Sequence, residues 1–183
     1  FHNSELEQGC TTCHEGLPSA DGGATMTADC SVCHKEHRLA DYIHGPVEMN
    51  ECTTCHAWSA EKKAVVVEAG VPATCEPCHG EKVAAVDSAA FPHAVVSECA
   101  TCHSPHSSDR KHLLKDDVNS LCSGCHEGFE LNHPVGRHPV RFKAIAATGA
   151  EISCASCHNP HGSSHPKLLV ASNKAAEICA QCH

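Results

Sequence analysis

The sequence predicts a chain that is mostly irregular, with short α-helices and negligible β-sheet, closed around something other than its own side chains. Three observations carry this. Of 183 residues, 16 are Cys and 18 are His. Phe, Tyr and Trp together make up 3%, whereas a domain of this length ordinarily buries aromatic and branched side chains in one core. Ten Pro and 12 Gly interrupt the chain too often for long elements.

In chain order, short helices are expected at 59–69, 80–88, 116–126 and 173–183. The last two have Asp or Asn near their starts, where a side-chain oxygen can cap free amides. The branched runs Val65-Val66-Val67 and Val95-Val96 are too short to make a sheet. No run of 18 apolar residues occurs, so no membrane-spanning helix is expected.

The formal net charge of −9 argues against nucleic acid as a partner. The basic clusters Lys62-Lys63 and Arg110-Lys111-His112 read as solvated surface.

All 16 cysteines fall into Cys-x-x-Cys-His. The motifs are Cys10/Cys13/His14, Cys30/Cys33/His34, Cys52/Cys55/His56, Cys75/Cys78/His79, Cys99/Cys102/His103, Cys122/Cys125/His126, Cys154/Cys157/His158 and Cys179/Cys182/His183. Structural zinc, a disulfide framework or redox-active thiols would each explain the cysteines, but none requires the His. Chance would place His after all eight pairs with odds on the order of 10⁻⁸, whereas c-type haem attachment demands it. Two thiols on one turn can form thioethers to one haem, and the next residue offers its imidazole to the iron. Eight covalent haems, with iron, are therefore the expected cofactors. Such attachment is made on secreted apoprotein, so the chain is expected to be exported, extracellular or at the cell surface, alternatively periplasmic, with a leader removed.

Between successive motifs lie 15, 17, 18, 19, 18, 27 and 20 residues, a quasi-period that reads as repeated units inside one domain, 1–183. Four two-haem units are expected, about 1–40, 41–90, 91–132 and 133–183. Residues 91–126 overlay on 138–183. His93 then matches His138, Ser104-Pro105-His106 matches Asn159-Pro160-His161, and Leu113-Leu114 matches Leu168-Leu169.

Eight motif histidines are the proximal ligands, and ten others remain for the opposite faces. His37, His106 and His161 each lie three positions after a proximal His, too close to reach round the same macrocycle, so each is expected to serve a different haem. His112 overlays on Lys167, and His165 on Arg110, so neither is a ligand in both copies. The distal set is then His2, His37, His44, His93, His106, His133, His138 and His161. Met26 and Met49 are the only thioether candidates, and Met more often packs than binds. Bis-His ligation is expected to dominate and, with methionine nearly absent, to give a low-potential chain. A globule of this length has a radius of gyration of roughly 16 Å. Eight macrocycles in that volume lie nearly in contact, and electrons hop among them.

The segments His93 to His126 and His138 to His183, with Cys-x-x-Cys-His-x-Pro-His and a following Leu-Leu, resemble the multihaem cytochromes with a doubled Cys-x-x-Cys-His motif. The likeness covers about half the chain, and residues 1–79 keep the attachment motifs without the Pro-His and Leu-Leu features. The resemblance implies electron transfer, as in the subunits of extracellular cytochrome filaments (nanowires), with a monomeric periplasmic shuttle or a porin-sheathed conduit as alternatives. An octahaem reductase is less favoured, and no enzyme activity is expected. Partners would be copies of the chain itself, head to tail, and other redox proteins or extracellular acceptors.

Overall fold

Each Cys-x-x-Cys-His segment from Cys30 onward closes into a single turn, because the two-residue spacer between the cysteines lets the His amide reach back to the carbonyl of the first Cys. That bond recurs at 2.8–3.0 Å in all seven motifs from Cys30 onward. The computed structural model describes residues 30–183 apart from 60, 63, 130, 136, 137, 139 and 141–150. His2, Cys10, Cys13, His14 and Met26 lie outside the described residues.

The backbone is mostly irregular, with a few short helices and three small antiparallel strand pairs. The longest helix, Glu76–Asp87, begins with a Pro in its first turn, where no amide hydrogen bond is lost. It spans the stretch expected at 80–88 and starts inside the fourth motif. Helix Val118–Ser123 falls within 116–126, and Asp117 caps it by accepting from the amides of Asn119 and Ser120. At 173–183 the chain makes two separate 3-10 turns, Lys174–Ala176 and Cys179–Gln181, where a helix was expected. The expectation of a helix at 59–69 is corrected outright. Strand β2 (Ala57–Ser59) pairs with β3 (Ala64–Val66) in a hairpin, with Ala57 opposite Val66. Branched valines favour extended backbone and outweigh the helix formers beside them.

The other two pairs join units. Strand β1 (Tyr42–Ile43) precedes His44 and pairs with β5 (Ser107–Ser108), which follows His106. Strand β4 (Phe91–Pro92) precedes His93 and pairs with β6 (Gly162–Ser163), which follows His161. Each clasp thus sets the segment entering one unit against the segment leaving the first motif of the next. In the second clasp Gly162 holds φ +137, and a Cβ there would come within 2.8 Å of the Ala89 Cβ.

Among the described residues no apolar side chain is fully buried, and Leu131 stays 88% exposed. The described residues close no hydrophobic core of their own. No helix among the described residues is long and apolar enough to cross a membrane.

Candidate functional site

The turns present the motif histidines, and the clasps bring distant histidines to face them. The ring centres of His79 and His44 are 6.0 Å apart, those of His56 and His106 5.9 Å, and those of His126 and His93 6.0 Å. His103 faces His161 at 6.0 Å, His158 faces His133 at 6.2 Å, and His183 faces His138 at 6.2 Å. Each pair joins one motif His to one His from the expected distal set. A metal held by two imidazole nitrogens at about 2 Å each puts the ring centres about 6 Å apart, so the donor set fits iron flanked by two histidines.

The pairing runs in two directions along the chain. His44, His93, His133 and His138 precede the motif they face, and His106 and His161 lie beyond theirs, in the following unit. His106 and His161 thus face motifs other than the ones they follow. Among the described motifs His37 faces no distant one, and the first motif, at 10–14, lies outside the described residues. The His37 ring stacks on His34 at 5.7 Å and lies 4.1 Å from that of His106.

Burial first, and then neighbouring imidazoles, hold His106 and His161 below the ordinary imidazole value. The neutral ring, which is the form that ligates, is favoured there. His133 shifts the same way for the same first cause.

Behind the proximal rings sits a second set of contacts that sequence reasoning did not find. His103 donates from Nδ1 to the His112 carbonyl at 2.8 Å, and His158 donates likewise to the Lys167 carbonyl at 2.7 Å. Both carbonyls belong to residues at φ +60, and the leucines that follow, Leu113 and Leu168, also have positive φ. The doubled left-handed turn also lets Ser104 and Asn159 donate to the carbonyls of Leu113 and Leu168, each at 2.7 Å. His112 therefore offers backbone where Lys167 does the same, and neither contribution depends on side-chain type. His34 differs, since its Nδ1 lies 3.2 Å from a carboxylate oxygen of Glu36. Glu36 is exposed, and its acidity is increased mainly by its own backbone hydrogen bond and then by His34. The repeat overlay could have located the carbonyl turns, whereas Glu36 has no counterpart to reveal it.

The attachment cysteines, equivalent in sequence, are not equivalent in the fold. The amides of Cys33, Cys55, Cys78 and Cys125 close their turns by donating to the carbonyls of Cys30, Cys52, Cys75 and Cys122 at 3.2–3.3 Å. Cys33, Cys78 and Cys125 are nevertheless exposed, as are Cys179 and Cys182, whereas Cys55 and the other described cysteines are half-buried. Motifs that pack side by side cover some of these thiols in part and leave others open.

Such packing brings the cysteines of successive motifs together. Burial raises the Cys75 thiol, and its hydrogen-bonded neighbour Cys99 and then Cys55 add to this. Burial and then Cys154 push Cys122 up to about 11, with Cys102 also contributing. Cys157 is raised by burial and then by Cys182 and Cys179. Groups attached at these sulfurs would be neighbours in sequence order from the third motif to the eighth.

The chain matches the family described as the doubled CXXCH motif over residues 44–84, 93–131 and 146–183. No curated protein matches it.

Proposed function

From the premise that the chain belongs to the doubled CXXCH motif family and is a multihaem c-type cytochrome, we propose that it carries eight haems, ligates them mainly through two histidines each, and passes electrons along them. The observation that carries this reading is the set of six facing histidine pairs at 5.9–6.2 Å. Each joins an attachment motif to a histidine far away in sequence.

Bound haem supplies the one-electron chemistry, and the protein supplies position, ligand and electrostatics. The paired cysteines fix each macrocycle by two thioethers. The motif His and the facing His would together hold its iron. The His112 and Lys167 carbonyls accept the Nδ1 proton of the proximal ring, which fixes its tautomer and raises the basicity of its ligating nitrogen. A more basic ligand favours the oxidised state, in line with a low-potential chain. At the six motifs that a second histidine faces, a bound iron would have no position open to a substrate, which favours a conductor over a reductase.

The finer reading is a subunit of an extracellular filament, with haems continuing from copy to copy. The run of neighbouring cysteines from the third motif to the eighth supports it, because a line of haems in that order can be extended by a further copy. Intact mass tests the cofactor count, with an excess of eight haems and no titratable thiol expected. Seven haems or a free thiol would overturn it. Electron microscopy of native material tests the filament, and discrete particles at every concentration would defeat it.

A further inference from the structure

The longest stretch between motifs, 27 residues, separates the sixth motif from the seventh. A separation of that length in sequence predicts a gap, yet Cys122 and Cys154 are hydrogen-bonded neighbours. One side chain accounts for the contact. Asn119 stands three residues before Cys122 on helix Val118–Ser123, and its Oδ1 accepts from the Cys154 amide at 2.9 Å and from the Cys154 thiol at 3.1 Å. It is the one polar side chain buried among the described residues, at 4% exposure. Asp117 anchors the helix that carries it, with Oδ1 accepting from the amides of Asn119 and Ser120 at 3.1 Å each. A buried amide oxygen left without its donor costs more than an ordinary hydrogen bond is worth, so the pairing is held firmly. Thioether formation removes the Cys154 thiol proton and leaves the amide bond in place. The other close cysteine pair, Cys75 with Cys99, has Pro72 at the corresponding position, which has no side-chain acceptor.

We propose that Asn119 is a positioning residue that locks the sixth and seventh haems into contact, so that electrons cross the boundary between the third and fourth units as readily as they move within one. The proposal rests on the eight-haem reading above. A residue that merely stabilised the fold would change haem content or melting. A positioning residue changes the electronic coupling of one haem pair.

The test is the exciton couplet in the Soret circular dichroism of the full haem-loaded chain. Asn119→Ala is expected to keep eight haems by intact mass and a low-spin absorption spectrum while losing one component of the couplet. Asn119→Asp keeps an acceptor oxygen in place and is expected to restore that component. Asn132→Ala, at an exposed asparagine, serves as the unchanged control. A couplet in Asn119→Ala identical to that of the unmodified protein would overturn the proposal. If Asn119→Ala loses haem, Asn119→Asp decides alone, a retained couplet supporting the proposal and a lost one overturning it. A haem count other than eight in the unmodified protein would instead defeat the underlying reading.

Discussion

The turn after the fifth motif and the turn after the seventh make the same hydrogen bonds with different residues. In the first, His103 donates to the His112 carbonyl and Lys115 donates to the Cys102 carbonyl. In the second, His158 donates to the Lys167 carbonyl and Val170 to the Cys157 carbonyl. The histidine facing each motif is supplied differently. His103 meets His161 from the next unit with rings 11° from parallel, whereas His158 meets His133 from the preceding stretch with rings 72° apart. The backbone carries the repeat, and the source of the facing histidine is free to vary from one copy to the next.

The largest effect tests that difference. Replacing His161 by Ala is expected to turn one haem high-spin in electron paramagnetic resonance, and replacing His112 or His165 is expected to turn none. Removing His103 and His161 together should disturb a single haem, while removing His158 and His161 together should disturb two. One disturbed haem in the second case would mean that His161 serves its own motif, and the cross-unit pairing would fall.

The clasps provide the next contrast. Gly162→Val forces a branched residue to φ +137 and against Ala89, which should cost about 2 kcal/mol or more in thermal unfolding. Ser107→Ala, at the matching place in the other clasp, should change stability by no more than about 0.5 kcal/mol. Equal losses would erase the contrast between the two clasps.

Smaller effects should be the same in both copies. The hydroxyls of Ser108 and Ser163 donate to the carbonyls of Leu114 and Leu169. Replacing either Ser by Ala should cost about 1 kcal/mol in denaturant titration. Smallest is a gain. His112→Gly and Lys167→Gly each remove left-handed strain of about 1–2 kcal/mol, and glycine entropy in the unfolded chain takes back part of it. A rise of about 0.5 kcal/mol is expected in each case, with the absorption spectrum unchanged. A high-spin signal from His112→Gly would mark it as a ligand.

The attachment turns were legible in the sequence because each is local, with thiols and imidazole lying within five residues. The likeness of residues 91–126 to 138–183 was legible for a related reason, since a turn built from backbone bonds tolerates His112 in one copy and Lys167 in the other. What covers each cysteine was not legible, because Cys55 owes its partial burial to motifs that pack beside it, while Cys33, Cys78 and Cys125 sit in the same local turn and stay exposed. The hairpin at Ala57–Ser59 and Ala64–Val66 was missed because Val65 and Val66 take their strand character from a partner strand, and pairing is invisible in a short apolar run. The histidine pairing could not be read either. His56 and His106 are separated by fifty residues and meet only because β1 and β5 hold two units together. Asn119 gave no signal, since a lone asparagine near a helix start reads as a cap and its partner lies 35 residues away.

The two directions of pairing also impose an order in time. As a chain grows from its N-terminus, His44 exists before the cysteines at 75 and 78, and His93 before those at 122 and 125. Those centres can be completed when their haem is attached. The motifs at 52–56 and 99–103 must wait for His106 and His161, about fifty and sixty residues later. Each of these two centres would stay unfinished until the next unit has emerged and its clasp has closed, so that the third unit would complete the second and the fourth the third.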